Sequence, residues 1–374
     1  MSKVLIVFVD SLPYRLLGRM PQLDAAGEKW SISPGFGYSV NIHAELFAGL
    51  LPDQVGYFGE WMHNPPQSPG WRMRRLLPLL DALLRPYVLN RGLQSLLTRG
   101  YRPGHVVPNI PLRHLDKFAL EGPHILDDPQ AYPYPSIFTQ FPRLRLIAIP
   151  EAPKGDRDDQ LYGRGLAAIE QSGSLFIPFP DLDGFGHSYG IDGEPYRQHL
   201  ARLDRWAATL EARFLNRYPD GHVFVVSDHG MVNVTRRVVL DIEEQVGRAS
   251  SETYITFSDA NVLRVWIFDE AVREPIRAYL RQFGAGQLVT EQERVEYGLT
   301  SPRFGDFIYV LDEGLAFEPS TFARHAPTGM HGYHPLAPGQ QAVLVHSGPP
   351  WMGRPPRRMR DVHHMLREAL AGRW

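Results

Sequence analysis

Four apolar, β-branched runs recur along the chain at residues 4–9, 144–149, 174–179 and 222–227, none with strict polar alternation. Strands that read this way are buried on both faces, as in a parallel sheet flanked by helices. The sequence between them has helical periodicity. Residues 194–218 place Leu200, Leu203, Trp206, Leu210 and Phe214 on one stripe, with Arg and Glu opposite. The pattern predicts an α/β protein, its largely parallel central sheet covered by helices on both faces.

Two segments depart from that rhythm. Residues 60–143 are rich in Pro, Arg and aromatics, with one helical stretch, Met73–Leu84. They read as an insertion able to act as a lid, since long ordered loops in compact domains often cover sites. Residues 236–318 hold the strand VLRVWIF, a helix from Glu270 to Phe283, and the strands QLVT and DFIYVLD. This predicts a small α+β subdomain. Residues 1–59, 144–235 and 319–374 are left for the core, ending in a Pro-rich connector (348–358) and a helix that closes near Ala371.

Composition narrows the partners. A net charge of −2 over 374 residues offers no polyanion-binding surface, so nucleic acid is not expected. Only four of the 39 basic residues are Lys, a bias read as compositional. Without Cys there is neither a disulfide framework nor a thiolate metal site. Met1-Ser2-Lys3 runs straight into the first strand, with no leader pattern before it, and no apolar run of ~18 residues could span a bilayer. The expectation is a cytoplasmic protein with no membrane partner; oligomeric state is not legible.

The chemistry lies where apolar runs give way to Gly-rich turns. Asp10 ends VLIVFVD, Asp183 and His187 lie in DLDGFGHSYG, Asp228 and His229 end HVFVVSDHGM, and His331 lies in GMHGYHP. In an open α/β sheet the carboxyl ends of strands share one crevice, so residues this far apart can meet. Three carboxylates and three imidazoles, with the hydroxyl of Ser39, could hold two divalent cations, an arrangement suited to phosphoryl transfer. In D-x-x-G-H-x-x-G (Asp183 to Gly190) the glycines would let a loop bring carboxylate and imidazole onto one cation.

These motifs, in this order, resemble the alkaline phosphatase superfamily, nearest its type I phosphodiesterase/nucleotide pyrophosphatase branch. The likeness covers residues 1–59, 144–235 and, more loosely, 255–347, and implies an alkaline phosphatase-like core. It implies one zinc on Asp183, His187 and His331 and a second on Asp10, Asp228 and His229, with Mn²⁺ or Mg²⁺ as substitutes. The family's nucleophile is a Thr or Ser ten residues before G-L-x-P. Ser39 stands ten before Gly49 in GLLP, and Gly305-Asp306 matches the family's late G-D pair. Mixed imidazole and carboxylate ligands with open positions suit catalytic zinc, and a Ser hydroxyl needs such activation. Ser39 would begin a helix running through Gly49, whose free N–H groups suit an anion.

The implied activity is hydrolysis of phosphodiester or pyrophosphate bonds in a small phosphorylated metabolite through a phosphoseryl intermediate. Phosphomonoester or phosphonate-ester hydrolysis and phosphosugar mutation are the alternatives. A sulfatase is not expected, because Ser39-Val-Asn-Ile-His lacks the C/S-x-P-x-R setting and the chain has no Cys. The chain departs from the branch at Ile42, where an Asn usually contacts phosphate; Asn41, one residue earlier, is the candidate replacement. Val55 precedes Gly56 where the family has a His-Gly pair. His43 reads as a helix-surface residue, Asp181 as structural, His334 as a neighbour of the site, and Arg72, Arg74 and Arg75 as a solvated face. His363-His364 show no ligand spacing.

Overall fold

The protein is described by a computed structural model covering residues 3–83, 87–98, 109–171, 173–321 and 323–374. Its chain forms two compact units. One comprises Met1–Leu51, His124–Asn233 and Pro327–Trp374, the other Pro52–Pro123 and Val234–Ala326.

The first unit is built on a six-stranded sheet of β1 (Val4–Val9), β2 (Glu28–Ile32), β3 (Leu144–Leu146), β4 (Ser174–Phe179), β5 (His222–Val226) and β6 (Ala342–Ser347). The spatial order is β2-β6-β5-β1-β4-β3. β5, β1, β4 and β3 run parallel, and β6 lies antiparallel between β5 and β2. All four apolar runs are therefore strands, and two more join them. β6 (AVLVHS) is buried throughout, whereas β2 (EKWSI) is largely exposed, an edge strand without an apolar run.

Five helices matter for the site: α1 (Ser39–His43), α2 (Asp156–Ile169), α3 (Asp181–Tyr189), α4 (Glu194–Arg217) and α5 (Met359–Ala371). Leu161 of α2 and Leu200, Leu203, Leu210 and Phe214 of α4 pack on Leu5, Val7, Leu175, Ile177 and Val225 of the sheet. The periodic stripe read for residues 194–218 is this buried face. Burying each such side chain stabilises the fold by about 1.5–3 kcal/mol. Alternation along β1 sends Phe8 to the opposite face, 5.5 Å from Phe47 and 6.0 Å from Phe176, with Phe138 5.0 Å from Phe176.

In the second unit a four-stranded antiparallel sheet has the order Tyr254–Ser258, Val262–Ile267, Phe307–Leu311, Gly286–Leu288, with the helix Arg273–Gln282 between its strands. Trp61, Leu77, Ile110, Leu112, Leu115 and Phe118 share one core with Ile255, Phe257 and Trp266 of that sheet. Residues 60–123 and the small α+β region thus form a single unit, while 124–143 fall in the other. The stretch read as a helix over Met73–Leu84 is a 3₁₀ turn at Trp71–Met73 and then a helix over Leu77–Leu83. Pro78 fits only a first helical turn, which delays the start. Leu84 lies outside the described residues, and a second helix, Tyr87–Thr98, follows. Among the described residues no helix is long and apolar enough to cross a membrane.

Candidate metal centre

Neighbouring parallel strands release their carboxyl ends side by side, and this brings the sequence motifs together. Asp10 leaves β1, Asp228 and His229 leave β5 on one side of it, and Asp183 and His187 follow β4 on the other. The turn after β1 is tied to the turn after β5. Ser11 has a left-handed backbone (φ 66°), rare for a residue other than Gly, and its amide donates to Asp228 Oδ1 at 3.1 Å. Leu12 N–H donates to Ser227 Oγ at 2.8 Å. His331 follows a two-residue strand, Gly329–Met330, paired with Val232–Asn233 just beyond His229.

One local expectation is corrected. D-L-D-G-F-G-H-S-Y is not a Gly-rich loop but the helix α3. Asp183 and His187 are four residues apart and so share one helical face, with no need for loop flexibility. Gly186 serves close packing instead: a Cβ there would lie 2.8 Å from Met231.

The side chains converge tightly. His229 Nε2 lies 3.2 Å from Asp228 Oδ2, 3.8 Å from Asp10 Oδ1 and 2.9 Å from Ser39 Oγ. Asp183 Oδ1 lies 3.4 Å from His187 Nε2 and 3.6 Å from His331 Nε2. The rings of His229 and His331 stack at 3.7 Å. Two triads have ligand atoms mutually within 4.8 Å, namely Asp10, Asp228, His229 and Asp183, His229, His331. The first is the set the sequence implied. In the second, His229 takes the place expected for His187, which reaches the group through Asp183.

This donor set fits metal ions. His229 Nδ1 donates to Gly230 O and His187 Nδ1 to Gly329 O, each at 2.9 Å, leaving both Nε2 lone pairs facing the carboxylates. Asp10 Oδ1 and Asp183 Oδ1 are buried and accept no hydrogen bond among the described residues, a costly state without a cation. Donor atoms bound to tetrahedral zinc at about 2.0–2.1 Å stand about 3.3 Å apart, close to the spacings here. The electrostatics agree. Burial, then Asp228 and Asp183, hold the Asp10 carboxyl well above its usual range. Burial, then His229 and His187, hold His331 well below its own, as a neutral imidazole. At Asp228 burial pushes upward, but His229, His43 and the Ser11 amide outweigh it and the carboxyl stays ionised.

Ser39 opens α1, which continues as a π-helical turn over Ala44–Ala48 and ends at Gly49 (φ 72°). The expected helix through Gly49 is present, with the local widening that π turns often supply at functional sites. Asn41, expected to contact phosphate, is fully buried: Oδ1 accepts from Tyr38 N–H at 3.0 Å and Nδ2 donates to Phe36 O at 2.7 Å. Both ends of its amide are committed at the start of the helix that Ser39 opens. Gly332 (φ 82°) lets the His331 loop approach the Ser39 loop, since a Cβ there would meet Gly37 O at 2.8 Å.

His43 is not on the helix surface. It is buried, with Nε2 donating to Asp228 Oδ2 at 3.1 Å. Its spacing of four from Ser39 puts both on one helical face, the one signal in the sequence that could have found it. Asp181 is structural as read, accepting from Gly155 N–H, Asp158 N–H and Arg157 Nε. His334 packs edge-on against Phe36, and His363 bonds Leu46 O. Asp306, after Gly305, holds Ile267 N–H and Arg273 in the second unit.

Comparison with known proteins accords with this geometry. Residues 156–334 match the family model described as type I phosphodiesterase / nucleotide pyrophosphatase, the family that the motifs resemble. Murine ectonucleotide pyrophosphatase/phosphodiesterase 5, solved as an inactive variant in complex with AMP, has the same fold: TM-score 0.65 at 16% identity, over 99% of this chain and 95% of that one. The human counterpart gives TM-score 0.63 at 15% identity, over the same shares. No curated protein matches the sequence.

Proposed function

We propose that the chain is a zinc-dependent hydrolase of phosphodiester or pyrophosphate bonds in a small phosphorylated metabolite, with Ser39 as nucleophile. The observation that carries this is the placement of Ser39 Oγ, 2.9 Å from His229 Nε2, at the mouth of the two acidic triads and the start of a helix. Asp10, Asp228 and His229 would hold one zinc, and Asp183, His331 and His187 a second. Bound there, zinc supplies Lewis acidity and the positive charge that a phosphoryl group needs among three carboxylates.

The remaining work falls to the chain's own groups. Tyr38 and Asn41 fix the first turn of α1, so that its amide N–H groups and Ser39 Oγ face the same phosphoryl group. The Ser39 proton passes to solvent as the Oγ–P bond forms and the P–O bond to the leaving group breaks. The leaving group departs as an alcohol that takes a proton from solvent, or as a phosphate when a pyrophosphate is cleaved. Water then cleaves the phosphoseryl group and returns Ser39 to its hydroxyl. The AMP held by the murine structure is why a nucleotide-like metabolite is the class to try first. The test is Ser39→Ala, assayed on a soluble aryl phosphodiester with zinc. Turnover should fall by several orders of magnitude while metal content is unchanged, leaving residual catalysis on the order of 10³-fold over water. Near-normal turnover would overturn the covalent route.

A further inference from the structure

The helices Leu77–Leu83 and Tyr87–Thr98 are apolar on both sides, which a helix on a water-exposed surface is not. Their inner side is accounted for: Leu77 is core, and Leu80, Leu93 and Leu97 pack against it. Their outer side carries Leu76, Leu79, Leu83, Val88, Leu89 and Leu96, each more than half exposed, Val88 reaching 76%. Half of the large exposed apolar side chains among the described residues thus fall within 21 positions. The flank is basic. Between Trp71 and Thr98 the sequence has five Arg and one acid, Asp81, which is taken by Arg113 at 3.2 Å. Arg72, Arg74 and Arg75 are exposed on the turn before the first helix, with no carboxylate paired to them among the described residues, and Arg74 lies over the Trp71 ring at 4.3 Å.

We propose that this face docks on an anionic lipid bilayer surface. Exposed Leu and Val beside Arg and a Trp form the composition of a segment lying in the headgroup region, apolar side chains in the acyl boundary and cations at the phosphates. Helices of seven and twelve residues cannot span a bilayer, which takes about 20, so the protein rests on one leaflet. Charge decides against a second copy as occupant, because two such faces would bring like-charged Arg clusters together. Docking departs from the expectation of no membrane partner, which rested on the lack of an apolar run long enough to span a bilayer; a segment lying on one leaflet needs no such run.

The full-length protein is tested by co-sedimentation with phosphatidylcholine vesicles, with and without phosphatidylglycerol. Binding should need the anionic lipid and weaken with salt. Leu79→Asp with Leu83→Asp should reduce it by at least about tenfold while leaving turnover of a soluble aryl phosphodiester unchanged. Because the chain has no Cys, Leu79→Cys gives a single thiol; an environment-sensitive dye there should shift to the blue on anionic vesicles. A dye that stays in a water-like environment, or binding that ignores both substitutions, would overturn the proposal. So would self-association dispersed by the same pair of substitutions without vesicle binding, which would assign the face to a second copy.

Discussion

Removing the His43 imidazole isolates one hydrogen bond behind the metal triads. Its Nε2 donates to Asp228 Oδ2 at 3.1 Å, and both side chains are almost wholly shielded from water. Burial lowers the His43 pKa despite the carboxylate, so the ring is a neutral donor near pH 7. His43→Leu keeps an apolar group against Phe8 and Phe47, whose rings lie 5.2 and 5.3 Å from the imidazole, and leaves Asp228 Oδ2 without that donor. A hydrogen bond to a buried charged group is worth about 1.5–3 kcal/mol, roughly 10- to 150-fold in an equilibrium constant. That range agrees with the 10- to 100-fold cost typical of losing a partner behind a metal ligand. Zinc affinity, read by competition with a chromophoric chelator and so independent of turnover, should fall by about this factor. His43→Gln, which can still donate, should recover part of the loss. Affinity in the Leu variant within about threefold of the parent would refute the idea that this bond orients Asp228.

Two further outcomes follow from the first unit. Glu45 is buried, its Oε1 has no hydrogen-bond partner among the described residues, and burial raises its pKa to about 8 against the pull of Arg360 and Arg358. Between the unfolded value of 4.5 and about 8 the native state holds a proton that the unfolded chain has released, so stability should fall with rising pH by roughly 1.4 kcal/mol per unit. Glu45→Gln should flatten that slope in melting curves taken from pH 5 to 8, and parallel curves for the two proteins would contradict it. Phosphodiesters should outrun phosphomonoesters: Gly37, Tyr38, Val40, Asn41 and Ile42 around Ser39 supply no cation to offset the extra charge of a dianion. Matched aryl substrates compared by kcat/KM decide this, and a monoester advantage above about tenfold, or 1.4 kcal/mol, would overturn it.

Much of the first unit is legible because its signals are local. A run buried on both faces, as at residues 174–179, excludes alternation, and the stripe on α4 repeats over about four turns. Asp10, Asp228 and His229 were legible as candidates because they end such runs, and Asp183 and His187 because they closely follow one. What escaped depends on partners distant in sequence. β2 shows no apolar run because an edge strand is held by backbone pairing to β6, more than 300 residues later. The left-handed Ser11 carries no Gly to mark it and is fixed by Asp228. Asn41 matched the expected phosphate contact in type but stands one residue early, and the loop path through Phe36 and Tyr38 turns its amide inward. Apart from the helical stretch near Met73–Leu84, residues 60–123 gave little periodicity because their apolar positions answer to a sheet assembled from residues 254–311.

The place of β6 in the sheet has a consequence during synthesis. β2 is complete once residue 32 has been made, yet its hydrogen-bonding neighbour begins at Ala342. At roughly 5–20 residues per second this interval lasts on the order of tens of seconds. Throughout it β2 has no ladder to join, and once Val226 has been made the edge of β5 that β6 will cover stays open. His331 emerges only just before β6, so the second triad is completed well after the first, whose residues are all present once His229 has been made. The newborn chain therefore cannot assemble the second triad early, and a ribosome that stops before residue 331 releases a protein with an unsealed sheet and half a site.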